Sequence, residues 1–134
     1  MNTKIKYLFL FVLLASLLTA CGAPASKAAD PVTIAQGFWD AINAKNVDAA
    51  MAFVADDIVT TGFPEHYTNK ADFRDFWLFS VKNGDINEIT DLKLISEDTV
   101  TFNIKIYARG NTEAVDTLGI LKVKDGKIVY METQ

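Results

Sequence analysis

Residues 99–108 read Thr-Val-Thr-Phe-Asn-Ile-Lys-Ile-Tyr-Ala, and polar and apolar side chains alternate along this stretch. A period of two is typical of a β-strand that buries one face in a core and leaves the other face to solvent. We therefore predict a strand here. The side chains that the pattern places on the buried face are Val100, Phe102, Ile104 and Ile106.

Three more strands are predicted around this one, over residues 86–96, 117–124 and 127–133. The first of them alternates imperfectly, which indicates a β-bulge near Thr90. Asp125-Gly126 separates the last two strands and is a strong signal for a short hairpin. The second half of the chain is thus predicted to form an antiparallel meander.

Helices are predicted ahead of the meander, and each begins with a capping residue. Asp30 followed by Pro31 is a favourable helix start, and Asn46 and Asn69 are expected to cap two further helices. The segments predicted from these signals are a first helix from residue 31, a second over 47–55, a strand over 58–63 after Asp56-Asp57, and a third helix ending at Asn83-Gly84.

This order of elements resembles the SnoaL-like branch of the nuclear transport factor 2-like superfamily. The resemblance covers residues 31–134 and is carried by four short segments, Phe38-Trp39, Val54 to Val59, Asn69 to Phe73 and Val123 to Val129. It implies an α+β fold in which a cone-like, curved antiparallel or mixed sheet packs on three N-terminal helices. It also implies a pocket on the concave side of the sheet and homodimers formed through the convex face.

The first 20 residues have the order of a bacterial lipoprotein signal peptide. Lys4 and Lys6 precede an apolar run from Tyr7 to Leu18, and two small residues stand before Cys21. The apolar run would cover roughly 18 Å as a helix, against roughly 30 Å for the hydrocarbon core of a bilayer. It is therefore too short to span comfortably and suits a cleaved signal.

Cys21 resembles the lipidated cysteine of this class and would become the first residue of the mature chain. Acyl chains on it would attach the protein to a membrane, because two chains already give stable anchoring. Residues 21–30 are predicted to be the lipidated cysteine and a flexible tether, and residues 31–134 the SnoaL-like domain. The expected location is the cell membrane or outer membrane, with the domain outside the cytoplasm.

The net charge argues against nucleic acid as a partner. The full chain of 134 residues carries −4, and loss of the two signal-peptide lysines makes the mature chain more negative still. An acidic surface repels phosphate backbones and anionic lipid headgroups. We predict no nucleic-acid partner, and we expect the lipid anchor to make the contact with the membrane.

Few residues are candidates for acid–base catalysis, which SnoaL-like enzymes perform in an apolar pocket. His66 is the only histidine and could act as a general base at a pocket mouth. Asp57 is the second candidate. The simpler interpretations are favoured, namely an exposed loop histidine for His66 and a helix-ending, solvated position for Asp57. No catalytic residue is therefore assigned.

Aromatic side chains are the candidates for the walls of a ligand pocket. The chain has nine phenylalanines, four tyrosines and two tryptophans. Ordinary core packing is the favoured alternative, but the two roles are compatible because pockets are mostly apolar. The predicted pocket residues are Phe38, Trp39, Phe63, Phe76 and Trp77.

Tyr107 and Arg109 fall on the face of their strand opposite to the buried one. They are interpreted either as contacts of a homodimer through the convex sheet or as plain surface residues.

The chain has one histidine and one cysteine, which offer no metal-ligand spacing, so neither a metal site nor a cofactor is predicted.

The sequence therefore leaves three candidate functions. The leading prediction is a membrane-anchored, non-catalytic envelope lipoprotein that binds a small apolar ligand or a protein partner. The second is a small-molecule isomerase, dehydratase or hydrolase that uses acid–base catalysis in the cone. The third is a dimeric structural interaction module.

Overall fold

Three helices and five strands make up the part of the chain that the computed structural model describes, residues 29–62 and 66–134. In chain order they are α1 (Pro31–Asn43), α2 (Val47–Met51), β1 (Val54–Gly62), α3 (Lys70–Asn83), β2 (Ile86–Leu94), β3 (Thr99–Tyr107), β4 (Val115–Lys124) and β5 (Lys127–Thr133). The predicted signal peptide, Cys21 and most of the predicted tether lie outside the described residues.

The five strands form one mixed sheet in the order β1-β5-β4-β3-β2. The segment from β2 to β5 is the predicted antiparallel meander, and β1 joins its edge in parallel with β5. The sheet wraps around α1, which packs against β2, β3, β4 and β5. The predicted α+β class with a mixed sheet on helices is confirmed.

The three predicted helix caps are confirmed by their hydrogen bonds. The side chain of Asp30 accepts from the backbone N–H of Thr33 at 3.2 Å, and Asn46 accepts from Ala49 at 3.0 Å. Asn69 caps α3 in the same way. These contacts satisfy N–H groups that have no partner within the helix, so the caps fix where each helix begins.

The second helix is shorter than predicted. It ends at Met51 instead of Ala55, and β1 begins at Val54 instead of Ile58. Asp56 and Asp57 are therefore exposed residues within the strand, not a break before it. Pairing with β5 decides the outcome, because the N–H of Ile128 donates to the carbonyl of Phe53 at 2.8 Å and draws this segment into the sheet.

The predicted bulge in β2 and the predicted hairpin between β4 and β5 are confirmed. The register between β2 and β3 shifts between Thr90 and Lys93, and Asp91 there has a φ of 55°. Asp125 and Gly126 both have positive φ, as a tight hairpin of the mirror-image type requires.

A cluster of aromatic rings fills the space between the helices and the sheet. Trp39 of α1 and Trp77 of α3 meet edge to face with 5.6 Å between ring centroids, and Phe38 stacks on Phe73 at 6.2 Å. Phe102 reaches Trp39 from the sheet at 5.2 Å. These rings join α1 and α3 to the sheet in one packed aromatic core.

Candidate functional site

A cavity of about 680 Å³ opens at the end of the cone where α3 ends. We call it the end cavity. Its walls come from the last turns of α3, the segment before β2, the end of β3, the start of β4 and the last residues of β1 and β5. These segments meet because β3 and β5 run toward this end, β4 runs away from it, and β1 is parallel to β5.

Apolar side chains form most of the cavity wall. Phe76 and Ile106 are half-buried there, and Ala108 lies at the end of β3. Phe79 and Val115 are each 64% exposed and stand at the mouth. Exposed apolar side chains of this size around an opening are typical of a surface that contacts an apolar ligand.

Asp85 provides a fixed carboxylate on this wall. The left-handed Gly84, with a φ of 80°, ends α3 and turns the chain back. The hydroxyl of buried Ser80 then donates to Oδ2 of Asp85 at 2.8 Å, and the backbone N–H of Arg109 makes a longer contact with Oδ1 at 3.4 Å. Asp85 is itself half-buried.

The other two acidic residues on the wall are placed differently. Glu113 is exposed in the segment between β3 and β4. Asp116 pairs with Lys105 on the outer face of the sheet, with 4.0 Å between Nζ and Oδ2. In the described part of the chain, no lysine, arginine or histidine lines the end cavity.

Thr117 contributes a further polar group to the wall. Its hydroxyl oxygen is shielded from solvent and has no hydrogen-bond partner among the described residues. The indole N–H groups of Trp39 and Trp77 are in the same condition, but they lie in the packed core. A buried hydroxyl without a partner costs free energy, and a ligand that hydrogen-bonded to it would remove that cost.

The residues predicted to form a pocket divide between two places. Phe76 lines the end cavity. Phe38, Trp39 and Trp77 are at most 2% exposed and pack on one another inside the core, because α1 and α3 turn these side chains toward the closed end of the cone. Phe63 lies outside the described residues.

The two catalytic candidates lie away from the end cavity. His66 is exposed, and its Nδ1 is 2.9 Å from the carbonyl oxygen of Thr60. Asp57 is exposed on β1, and neither residue is part of the cavity wall. Asp85, which was not predicted as a site residue, is the half-buried carboxylate that the fold brings to the cavity. Its position directly after a helix-ending Asn-Gly pair was the available signal.

Tyr107 lies on the outer face of the sheet, as the alternation of β3 predicted. Its hydroxyl donates to the carboxylate of Glu88 on the neighbouring strand at 3.2 Å. Arg109 is exposed just beyond β3, where its backbone contacts Asp85. The outer face at this edge therefore carries these polar groups together with Ile86, which pairs with Tyr107 and is 59% exposed.

Asp98, at the opposite end of β3 from the end cavity, is a group whose pKa the fold clearly changes. Hydrogen bonds from the hydroxyls of Thr99 and, second, Ser96 lower the pKa of Asp98. These contacts hold the turn between β2 and β3.

Within residues 29–62 and 66–134, no group of three or more His, Cys, Asp or Glu side chains could hold a metal ion.

The fold and the cavity together define a curved α+β cone with a mostly apolar opening. A family model described as the SnoaL-like domain matches residues 35–131, and the chain therefore belongs to the SnoaL-like family. Comparison with curated proteins gave no match. None of the helices in the described residues is long and apolar enough to cross a bilayer.

Three solved structures illustrate the range of proteins with this fold. A cystatin-fold protein from Novosphingobium aromaticivorans has a TM-score of 0.69 at 16% identity, covering 78% of this chain and 97% of its own. An LEH-like epoxide hydrolase of Mycobacterium tuberculosis has 0.67 at 15%, covering 79% and 82%. RV0760c of the same organism, in complex with estradiol-17beta-hemisuccinate, has 0.67 at 18%, covering 78% and 92%. At these identities the likeness establishes the fold.

Proposed function

We propose that this domain binds a small, mainly apolar molecule in the end cavity. The observation that carries the proposal is the cavity itself, whose volume of about 680 Å³ falls within the range of small-molecule sites. Its walls combine apolar side chains with a few fixed polar groups, as such sites do. The estradiol-hemisuccinate complex of RV0760c, a protein of the same fold, supports this class of ligand.

Filling the cavity should block binding without unfolding the domain. Ala108 lines the cavity and is exposed, so Ala108→Trp adds a large side chain at the opening without disturbing the core. We expect this variant to weaken binding of prodan, an uncharged naphthalene fluorophore whose emission reports an apolar site, by about ten-fold or more, the equivalent of 1.4 kcal/mol. Fluorescence titration of the soluble domain measures the change.

Ala71→Trp is the matched control, because Ala71 is exposed on the first turn of α3 and is not part of the cavity wall. It should leave prodan affinity unchanged. Equal affinities of both variants and the wild type would contradict the proposed site.

Acid–base catalysis by Asp85 is the second candidate function. The observation that favours it is a carboxylate held by Ser80 at the wall of an apolar cavity, where a general base can reach a bound substrate. The epoxide hydrolase with this fold supports the class of reaction. Turnover of a bound molecule that Asp85→Asn abolishes would favour the enzyme, and tight binding without turnover would favour the binding protein.

We also propose that Cys21 carries lipid and attaches the mature chain to the cell membrane or the outer membrane of a bacterium, with the domain outside the cytoplasm. The support is the order of residues 1–21 alone. In a bacterial host, the wild-type chain should sediment with membranes, and Cys21→Ser should shift most of it to the soluble fraction, because the sulfur that would bear the lipid is gone.

Ser26→Ala, in the predicted tether, is the control and should stay with the membranes. Continued membrane association of Cys21→Ser after a high-salt wash would contradict the anchor.

A homodimer through the outer face of the sheet is proposed as the oligomeric state. Tyr107, Lys105 and Tyr130 lie on this face, and tyrosine is a frequent anchor in interfaces. Light scattering of the soluble domain gives the molar mass that decides between a monomer and a dimer.

A further inference from the structure

The carboxylate of Asp85 has no cationic partner in the part of the chain that the structure describes. Ion pairs within 4.0 Å join four other aspartates to lysine or arginine, and Asp85 is not among them. Arg109 reaches Asp85 through its backbone N–H, not through its guanidinium group. The cavity thus contains a half-buried carboxylate to which the described residues offer no counter-ion.

We propose that the natural ligand of the end cavity is an apolar molecule that carries a protonated amine, and that Asp85 pairs with this amine. The inference rests on the binding function proposed above and names the chemical class of the ligand. The apolar part would lie against Phe76, Ile106 and Val115, and the ammonium group would lie at Asp85.

The hydrogen bonds that Asp85 makes leave room for such a partner. A carboxylate has about four acceptor positions, and the contacts in the structure use two of them. One is a short bond from Ser80 and the other is a long contact at 3.4 Å from the backbone of Arg109. These contacts orient the carboxylate without neutralising it, so an ammonium group can still donate to both oxygens.

The rest of the wall also favours a cation over an anion. Glu113 adds a second negative charge, and the neutral side chains of Asn83 and Asn111 offer amide oxygens. The buried hydroxyl of Thr117 offers an oxygen that has no partner among the described residues. An ammonium group is a donor at every position, so this set of acceptors suits it. A carboxylate ligand would meet repulsion from Asp85 and Glu113.

Three ligands with the same alkyl chain isolate the effect of the charged group. Decylamine, decanol and decanoate compete with prodan for the soluble domain at neutral pH, each below the concentration at which it aggregates. We expect decylamine to bind about ten-fold or more tightly than decanol, because a hydrogen bond to a charged group is worth more than a neutral one. Decanoate should bind most weakly. In Asp85→Asn, the amine should lose its advantage over the alcohol, because the charged acceptor is gone.

Asp75→Asn is the matched control. It removes the same unit of charge from an exposed carboxylate on α3 that is not part of the cavity wall. The preference for decylamine should persist in this variant. Loss of the preference in both variants would show an effect of overall charge and would overturn the assignment to Asp85.

The outcomes separate this inference from the proposed function. If prodan binds and the amine and alcohol compete equally, the cavity binds ligands but the amine assignment is wrong. If neither prodan nor any alkyl ligand binds, the proposed function itself is wrong. A preference for decylamine that disappears only in Asp85→Asn supports both.

Discussion

Trp39→Ala is expected to lower the free energy of unfolding by about 3–5 kcal/mol, the usual cost of removing a large aromatic side chain from a core. Trp39 is 1% exposed and touches rings from three directions. Its centroid lies 5.0 Å from that of Phe38, 5.6 Å from Trp77 and 5.2 Å from Phe102. Because α1 meets both α3 and the sheet at this point, the vacated space cannot close by a small local movement.

Urea denaturation followed by circular dichroism measures the loss, which is large against the total stability of about 5–15 kcal/mol for a domain. Trp39→Phe should cost much less. The indole N–H of Trp39 has no hydrogen-bond partner among the described residues, so phenylalanine removes an unsatisfied group together with part of the volume.

Phe79→Ala is the second control for the core. Phe79 is 64% exposed, and its replacement should change the free energy of unfolding by no more than about 0.5 kcal/mol. A Trp39→Ala variant as stable as Phe79→Ala would show that Trp39 is not part of a packed core.

Gly62→Ala is expected to be the second most damaging of the substitutions considered. Gly62 has a φ of 81°, and a Cβ added there would lie 1.8 Å from the backbone oxygen of Thr133, its partner on β5. The left-handed backbone costs a side-chain-bearing residue roughly 1–2 kcal/mol. Overlap with a backbone atom adds roughly 1–3 kcal/mol, because the strand has to shift.

Gly84→Ala is the control that separates these two costs. Gly84 has a φ of 80°, but nothing lies within 4 Å of the added Cβ. It should therefore show the conformational cost alone, and denaturation of both variants gives the cost of overlap as the difference. Equal losses at both positions would contradict the close approach of β1 and β5. Since Gly62 and Thr133 both line the end cavity, Gly62→Ala should also weaken prodan binding.

Local signals in the sequence predicted much of this fold. The caps Asp30 and Asn69, the hairpin at Asp125 and the alternation of β3 depend on neighbours within a few residues, so their physics is visible in a short window. The start of β1 was misplaced for the opposite reason. Its pairing with β5 brings together segments that are far apart in sequence, and no local pattern around Val54 reports it.

The site was harder to predict than the fold. The aromatic pattern of α1 and α3 indicates that side chains such as Trp39 and Phe76 are buried, but it does not say which end of the cone they face. The curvature of the sheet decides that, and it directs Trp39 to the core and Phe76 to the cavity. Asp85 was missed because its significance comes from the turn at Gly84 and from Arg109, which follows β3 and is distant in sequence.

The parallel junction of β1 and β5 has a consequence for how the chain folds during synthesis. Thr61 and Tyr130, whose hydroxyl oxygens are 2.9 Å apart across this junction, are separated by 69 positions in sequence. Contacts of such long range form late and slow folding. Until the seven residues of β5 have emerged, β1 has no neighbour in the sheet, and the cavity lacks the wall that ends at Thr133. A nascent chain can therefore complete its sheet and its cavity only after its last strand has been made.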